Sequence, residues 1–463
     1  MEERKKMKKQ LDKIFHLSDN NTNIRTELVA GITTFMTMSY ILAVNPSLLS
    51  ETGMDKGAVF TATALAAFVG TWAMALLSNY PVALAPGMGL NAYFVYTVVQ
   101  SMGYTWQMAL AAVFIEGIIF IILSLSHVRE ALFNAIPQNL KNAVSVGVGI
   151  YIAFIGLQNA KIVVDSTTLV KIYSFKNSID EGMFNREGIT VVLGLIGILI
   201  TSVLVIKKVK GNILWGILIT WGLGIICQLT GVYTPGEGAP SLLPDFSGGI
   251  SVPSLAPTFM KFDFSQVFSL EFLVVMAAFL FVDMFDTLGA LIGIAGRADL
   301  LDKDGKLPHI KGALTADAIA TTVGAVFGTS TTTTYIESAS GVEEGGRTGL
   351  TAIITGLLFL AALFLSPVFL AIPSFATAPA LVVVGFLMMT SITKLDFEDM
   401  TETIPCFIAI IAMPFMYSIS EGIAMGIISY VIINVVCGNA KKKRITLLMY
   451  ILMAILLIKY ILI

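Results

Sequence analysis

The sequence predicts an all-α polytopic membrane protein of fourteen transmembrane segments, seven followed by seven of inverted orientation. Three observations carry this. Only 13% of the 463 residues are charged against 56% hydrophobic, and mean hydropathy is +0.83, whereas a water-soluble domain carries about 25% charged residues. Apolar stretches near the roughly 20 residues that cross a bilayer recur along the chain. Lysine and arginine gather in alternate loops, which orients those stretches. The abundance of apolar residues also excludes a disordered chain, and a net charge of −2 excludes a nucleic-acid binder, which needs a basic surplus.

Residues 1–25 open on a Lys-rich run, and the apolar stretch begins only near Leu28 with no small-residue cleavage site behind it. This reads as a cytoplasmic arm rather than a signal peptide. The first repeat, 26–231, carries spans near 26–49, 58–78, 81–100, 106–126, 139–158, 188–206 and 211–230. A polar, Pro/Gly-rich extracytoplasmic linker follows at 232–266. The second repeat, 267–438, carries spans near 267–294, 311–327, 328–347, 349–368, 376–393, 402–417 and 421–437. Residues 439–463 are a basic segment and an apolar tail, expected to lie along the membrane interface. Fourteen crossings bring Arg129 and Lys141, then Lys207, Lys208 and Lys210, then Arg297, Lys303, Lys306 and Lys311, and finally Lys441, Lys442, Lys443 and Arg444 to the arm's side. That side is the cytoplasmic face of the plasma membrane.

Seven spans per half make the repeats inverted, a transporter device whose site lies at mid-membrane where interrupted segments meet. The third and tenth spans hold such interruptions as short extended stretches. Pro81 to Pro86 precede Gly87-Met-Gly-Leu-Asn91, and Gly328-Thr-Ser-Thr-Thr-Thr-Thr334 precedes Tyr-Ile-Glu337-Ser-Ala. Proline and runs of threonine disfavour helix there. Each hands over to a half-helix whose free backbone donors, Gly89 and Leu90 in one and Ser338 and Ala339 in the other, are expected to face one central space. Neither stretch can face lipid, where its backbone would be unsatisfied.

The spans hold Glu116, Asp283, Asp286, Asp317 and Glu337, yet no Lys or Arg lies between Lys56 and Arg129 or between Lys261 and Arg297. A carboxylate at membrane depth is costly unless it protonates, finds donors or binds a cation. The three histidines, His16, His127 and His309, fall in the arm or loops, so a carboxylate is the natural carrier of any proton. Asp283 and Asp286, at i and i+3, share a helix face and cannot both ionise cheaply. Asp283 and Glu337 are the foremost candidate ligands of a flat polar molecule. Asp286 is either a ligand contact or a supporting group, and Asn91 caps its half-helix or meets the ligand. Asp317 and Glu116 read as polar glue between helices, and Glu343, Glu344 and Arg347 as a solvated loop with a local ion pair. The Gly-rich spelling at 341–347 is no phosphate loop, lacking the preceding strand and the GKS/T signature. Cys227, Cys406 and Cys437 show no metal spacing, and no cofactor or hydrolase motif is present.

Four segments together resemble the nucleobase–cation symporter 2 family, in its azaguanine-resistance-like branch of purine permeases: TTFMTMSYILAVNP at 33–46, APGMGLNAYF at 85–94, FVDMFDTLGALIG at 281–293 and GTSTTTTYIESASGVEEGGRTGL at 328–350. The resemblance implies a core domain of spans 1–4 and 8–11 and a gate domain of spans 5–7 and 12–14, frequently as a homodimer. It implies proton-coupled uptake of guanine and hypoxanthine, with adenine a further candidate, the base held by Asp283 and Glu337 with Asn91 beside it and Asp286 supporting. Sodium-coupled uptake, and an anion exchanger or channel on the same inverted-repeat plan, are the alternatives. Acids at the site argue against an anion carrier.

Overall fold

Backbone inside hydrocarbon must satisfy its own hydrogen bonds, so helix is the default wherever this chain is apolar. The computed structural model describes residues 10–125, 137–167, 169–235, 242–246, 251–298, 308–443 and 445–462. Arg129, Lys303, Lys306 and Arg444, named above for orientation, lie outside the described residues, as does His127.

The first repeat opens with α1 (Ile24–Met38) and α2 (Ile41–Ser50), one span broken at Ser39 and Tyr40, with Pro46 withholding an N–H inside α2. Helix α3 (Lys56–Ser78) follows, then strand β1 (Leu84–Pro86) and the half-helix α4 (Met88–Ala92), which runs on as a π-helix over Tyr93–Ser101. Helices α5 (Trp106–Leu125) and α6 (Gln138–Asn159) come next. A hairpin, β2 (Val163–Ser166) and β3 (Leu169–Ile172), and the short α7 (Phe175–Asp180) precede α8 (Ile189–Ile206) and α9 (Asn212–Leu229).

The second repeat starts with α10 (Leu270–Ala298) and α11 (Ile310–Phe327). Strand β4 (Thr332–Thr334), a 3-10 turn at Ile336–Ser338 and α12 (Ala339–Glu343) form its interrupted segment. Then come α13 (Gly349–Ala362), α14 (Ser366–Ala371), α15 (Ser374–Met389), α16 (Met400–Phe415), α17 (Ile419–Val436) and α18 (Leu447–Leu462). Among the described residues nine helices are long and apolar enough to cross a membrane, with three shorter apolar ones. This is a multi-pass helical membrane protein. The all-α expectation needs one amendment outside the spans. Val163-Val-Asp-Ser and Leu169-Val-Lys-Ile pair as an antiparallel hairpin, Val163 opposite Ile172, where β-branched residues find water on one side.

The apolar tail forms helix α18, which is apolar nearly all round and packs on α17. Leu452 and Leu456 turn toward Ile423 and Ile427 of α17 around an apolar cavity, while Ile451, Ile455 and Ile458 are exposed. Tyr460 bonds Glu421 at the start of α17, and Lys443, just ahead of α18, pairs with Asp399 and with Glu402 at 2.6 Å. Pinned at both ends, α18 runs antiparallel along α17.

Helices α3 and α11, at matching places in the two repeats, pack directly together. They approach closely at Gly70, where an added Cβ would stand 2.6 Å from the Ala320 methyl. Gly70→Leu should therefore lower stability by roughly 1–3 kcal/mol through overpacking, read as a fall in the unfolding temperature of the detergent-solubilised protein.

The Lys443 ammonium holds the Asp399 carboxyl down at about 2, with Thr401 assisting. A depressed carboxyl contributes stability above its unfolded value, near 3.9, and loses it as pH falls toward 2. The difference in unfolding temperature between wild type and Lys443→Ala in detergent should accordingly be the same at pH 7 and pH 5, and shrink only below about pH 4.

Candidate functional site

Proline at 81 and 86 and the β-branched run at 331–334 keep two segments extended in the interior. They answer each other. Strands β1 and β4 pair antiparallel, Leu84 opposite Thr334, Ala85 opposite Thr333 and Pro86 opposite Thr332, and all six residues are buried. The ladder continues past both ends, Gly87 N–H donating to Thr331 O at 3.0 Å and Tyr335 N–H to Ala83 O at 3.0 Å. Outer edges are met by hydroxyls. Thr71 of α3 donates to Leu84 O at 3.1 Å and accepts from Leu84 N–H at 3.0 Å, and Thr321 of α11 donates to Thr332 O at 3.0 Å. The Ser338 hydroxyl accepts from Ala83 N–H at 3.0 Å, and the Tyr335 phenol donates to Pro86 O at 2.6 Å.

Antiparallel strands send α4 and α12 off in opposite directions. In the first five-residue helix Asn91 N–H bonds Gly87 O at 2.8 Å, which leaves the Met88, Gly89 and Leu90 N–H groups without helical acceptors. Gly89 and Leu90 thus keep N–H groups that the helix does not use. Ser338 and Ala339 do not. The 3-10 turn ahead of α12 engages both, Ser338 N–H to Tyr335 O and Ala339 N–H to Ile336 O and Glu337 O. The two halves of the site are therefore asymmetric, with backbone donors on one side and a carboxylate, Glu337, on the other.

Glu337 is half-buried, and its Oε1 accepts the Tyr40 phenol at 2.9 Å. Asp286 is also half-buried. Its Oδ2 stands 3.7 Å from the place of a Cβ on Gly87, at the foot of α4, within electrostatic reach of Glu337 and Asp317. Asp283 is fully buried and accepts from the Thr287 hydroxyl at 3.3 Å. The two acids of α10 thus differ in exposure, Asp283 fully buried and Asp286 half-buried, and Asp286 lies within the field of Glu337.

Thr287 ties this floor together, its hydroxyl also 2.7 Å from Asp317 Oδ1 and 2.6 Å from Thr333 Oγ1. Asp317 and Glu116 are buried and join elements as expected, Glu116 accepting from Thr331 at 2.9 Å. Asn91 accepts from the Ser330 hydroxyl, while its Nδ2 has no partner among the described residues. The Asn45 amide holds Thr63 at 2.7 Å and Thr329 at 2.8 Å. Tyr40 and Asn45 were not singled out from the sequence; an uncharged Tyr and Asn in an apolar span were the only signal.

At the end of the second interrupted segment the expected local ion pair does not form. Glu344 pairs with Lys210, and the Arg347 guanidinium donates to Val342 O at 2.7 Å and Gly346 O at 2.9 Å. The N–H donors of this Gly-rich turn are consumed by Glu27, a fully buried carboxylate. It accepts from Arg347 N–H at 2.9 Å, Thr351 N–H at 3.1 Å and the Thr351 hydroxyl at 2.6 Å. That is a helix N-terminus closed by an internal acid.

Among the described residues no cation pairs with Asp286 or Glu337, and Asp286 lies close to the Gly87 end of α4. A family model described as a permease family matches residues 25–425. The chain belongs to the nucleobase–cation symporter 2 permeases. It is 43% identical to the guanine/hypoxanthine permease PbuO of Bacillus subtilis over 93% of this chain and 96% of that one. It is 39% identical to the adenine permease AdeP of Escherichia coli over 97% and 96%. Among solved structures, the transmembrane domain of the cyanobacterial bicarbonate transporter BicA superposes with a TM-score of 0.61 at 15% identity, covering 87% of this chain and 97% of that one. That likeness shows the fold, an inverted-repeat transporter, and nothing of the cargo. A transporter of this family is not an enzyme.

Thr287→Val should remove the donor that Asp283 and Asp317 share and cost about 1–3 kcal/mol, measurable as a lowered unfolding temperature in detergent. Thr287→Ser should retain it.

Proposed function

We propose that this protein imports purine nucleobases across the plasma membrane by proton symport, with its N-terminal arm in the cytoplasm. Fourteen spans divide into a core domain of spans 1–4 and 8–11, which carries the site, and a gate domain of spans 5–7 and 12–14, against which the core moves. The observation that carries this reading is the half-buried pair Asp286 and Glu337, on segments 270–296 and 328–346 that contain no Lys, Arg or His. Relatives named for guanine/hypoxanthine and for adenine support a purine as cargo.

The chemistry follows from the edge of the base. Hypoxanthine and guanine present N1–H beside C6=O, and guanine adds a 2-amino group. A carboxylate accepts those N–H groups, in a bidentate pair where geometry allows. The Gly89 and Leu90 N–H groups at the foot of α4 supply donors for the carbonyl. Asn91, whose Nδ2 remains available, stands beside them. Asp283 supports through Thr287 from below.

Two acids within each other's field at membrane depth cannot both carry charge cheaply. A proton taken up with the base neutralises one of them, and its release inside restores the cost that drives the empty carrier back. Adenine presents the reverse pattern on that edge and calls for a protonated acid as donor.

Hypoxanthine uptake into proteoliposomes should rise several-fold when the outside is made acidic relative to the lumen, and should not respond to a sodium gradient. The opposite pattern would replace proton coupling by sodium coupling. Asp286→Asn and Glu337→Gln should each lower uptake at least about tenfold, the value of one hydrogen bond to charge, with normal amounts of protein in the membrane. Unchanged uptake by both variants would remove the proposed pocket.

A further inference from the structure

Tyr40 lies where the first span breaks, between α1 and α2, and its side chain is wholly buried. A phenol in an apolar span is costly unless its hydroxyl finds an acceptor, and the acceptor here is the Glu337 carboxylate at 2.9 Å. One turn earlier the Thr37 hydroxyl lies 3.4 Å from the Glu337 backbone carbonyl. The first span thus approaches one residue of the tenth at both its side chain and its backbone, from the opposite repeat.

We propose that Tyr40 sets the base preference of the site by holding Glu337 as a hydrogen-bond acceptor. The proposal rests on the purine reading above and goes further, to which purine edge is favoured. A phenol has one proton to give, and a donor bond to an ionised acceptor is about twice as strong as one to a neutral group. The Tyr40 bond is therefore worth most when Glu337 is the acceptor-only carboxylate, and it fixes the rotation of that group. A carboxylate held this way matches the N1–H of hypoxanthine and guanine. It mismatches adenine, whose N1 is itself an acceptor. Without the phenol hydroxyl the carboxyl group can turn, and it serves as a donor at less cost. Tyr40 is in this sense a positioning residue that acts through Glu337.

The test is equilibrium binding of radiolabelled hypoxanthine to purified protein, competed by unlabelled hypoxanthine and by adenine. In Tyr40→Phe, which keeps the packed ring, the dissociation constant for hypoxanthine should rise about tenfold while that for adenine changes less, shifting the ratio toward adenine. Glu337→Asp, which withdraws the acid from the phenol by one methylene, should shift the ratio the same way. In a Glu337→Gln background, Tyr40→Phe should add little, because the two act as one unit. An unchanged ratio in both Tyr40→Phe and Glu337→Asp, or additive effects in the double variant, would overturn the proposal and reduce Tyr40 to a packing residue. Wild-type protein that binds no purine at all would instead strike down the site reading itself, a separately recognisable outcome.

Discussion

Extended backbone at the centre of a bilayer has no water to bond. Each unsatisfied N–H or C=O there costs several kcal/mol, so two such segments can persist only if each supplies what the other lacks. The pairing of Leu84–Pro86 with Thr332–Thr334 meets this demand with residues that are poor at forming helix. Pro86 has no N–H to leave stranded, and its carbonyl is taken by the Tyr335 phenol. Threonine hydroxyls from α3 and α11 close the outer edges, the same device at matching places in both repeats. Everything functional hangs from this pair, because the strand direction fixes where α4 and α12 begin.

The polar floor beneath the site obeys the same economy. Thr287 binds Asp283 and Asp317 into the scaffold and is itself met by Thr333, Thr331 binds Glu116, Ser330 binds Asn91, and Asn45 ties Thr63 to Thr329. Carboxylates that are spoken for in this way are structural. Asp286 and Glu337 are less enclosed, half-buried where the others are fully buried, and they are the pair proposed to meet the cargo. Burial and partners, rather than residue type, separate the two classes.

Much of this was legible in the sequence. Pro81, Pro86 and the threonine run marked the two interruptions, and the absence of Lys and Arg around 283 and 337 marked the acids as unusual. The pairing of the two strands was not legible, since the Tyr335–Pro86 bond joins residues 249 apart and no local pattern encodes it. Asp283 and Asp286 are about 60° apart around a helix of 3.6 residues per turn, enough to leave one fully buried and the other half-buried, and spacing alone cannot say which. Ser338 and Ala339 read as free donors because a helix start was expected to be α-helical; a 3-10 turn binds them instead. Glu27 gave no sign of its role, because the donors it satisfies come from residues more than 300 positions later.

Helix α18 also bears on where the chain's last residues emerge. It runs back beside α17 from the Lys443 pairing to the Tyr460 contact near Glu421, so residue 462 lies about the length of α18, roughly 24 Å at 1.5 Å per residue, from the lysines at 441–443. A fluorescent or affinity tag fused there would be held well away from that basic patch. Whole-cell labelling of such a tag, read against one inserted at 439, would report the parity of the crossings directly.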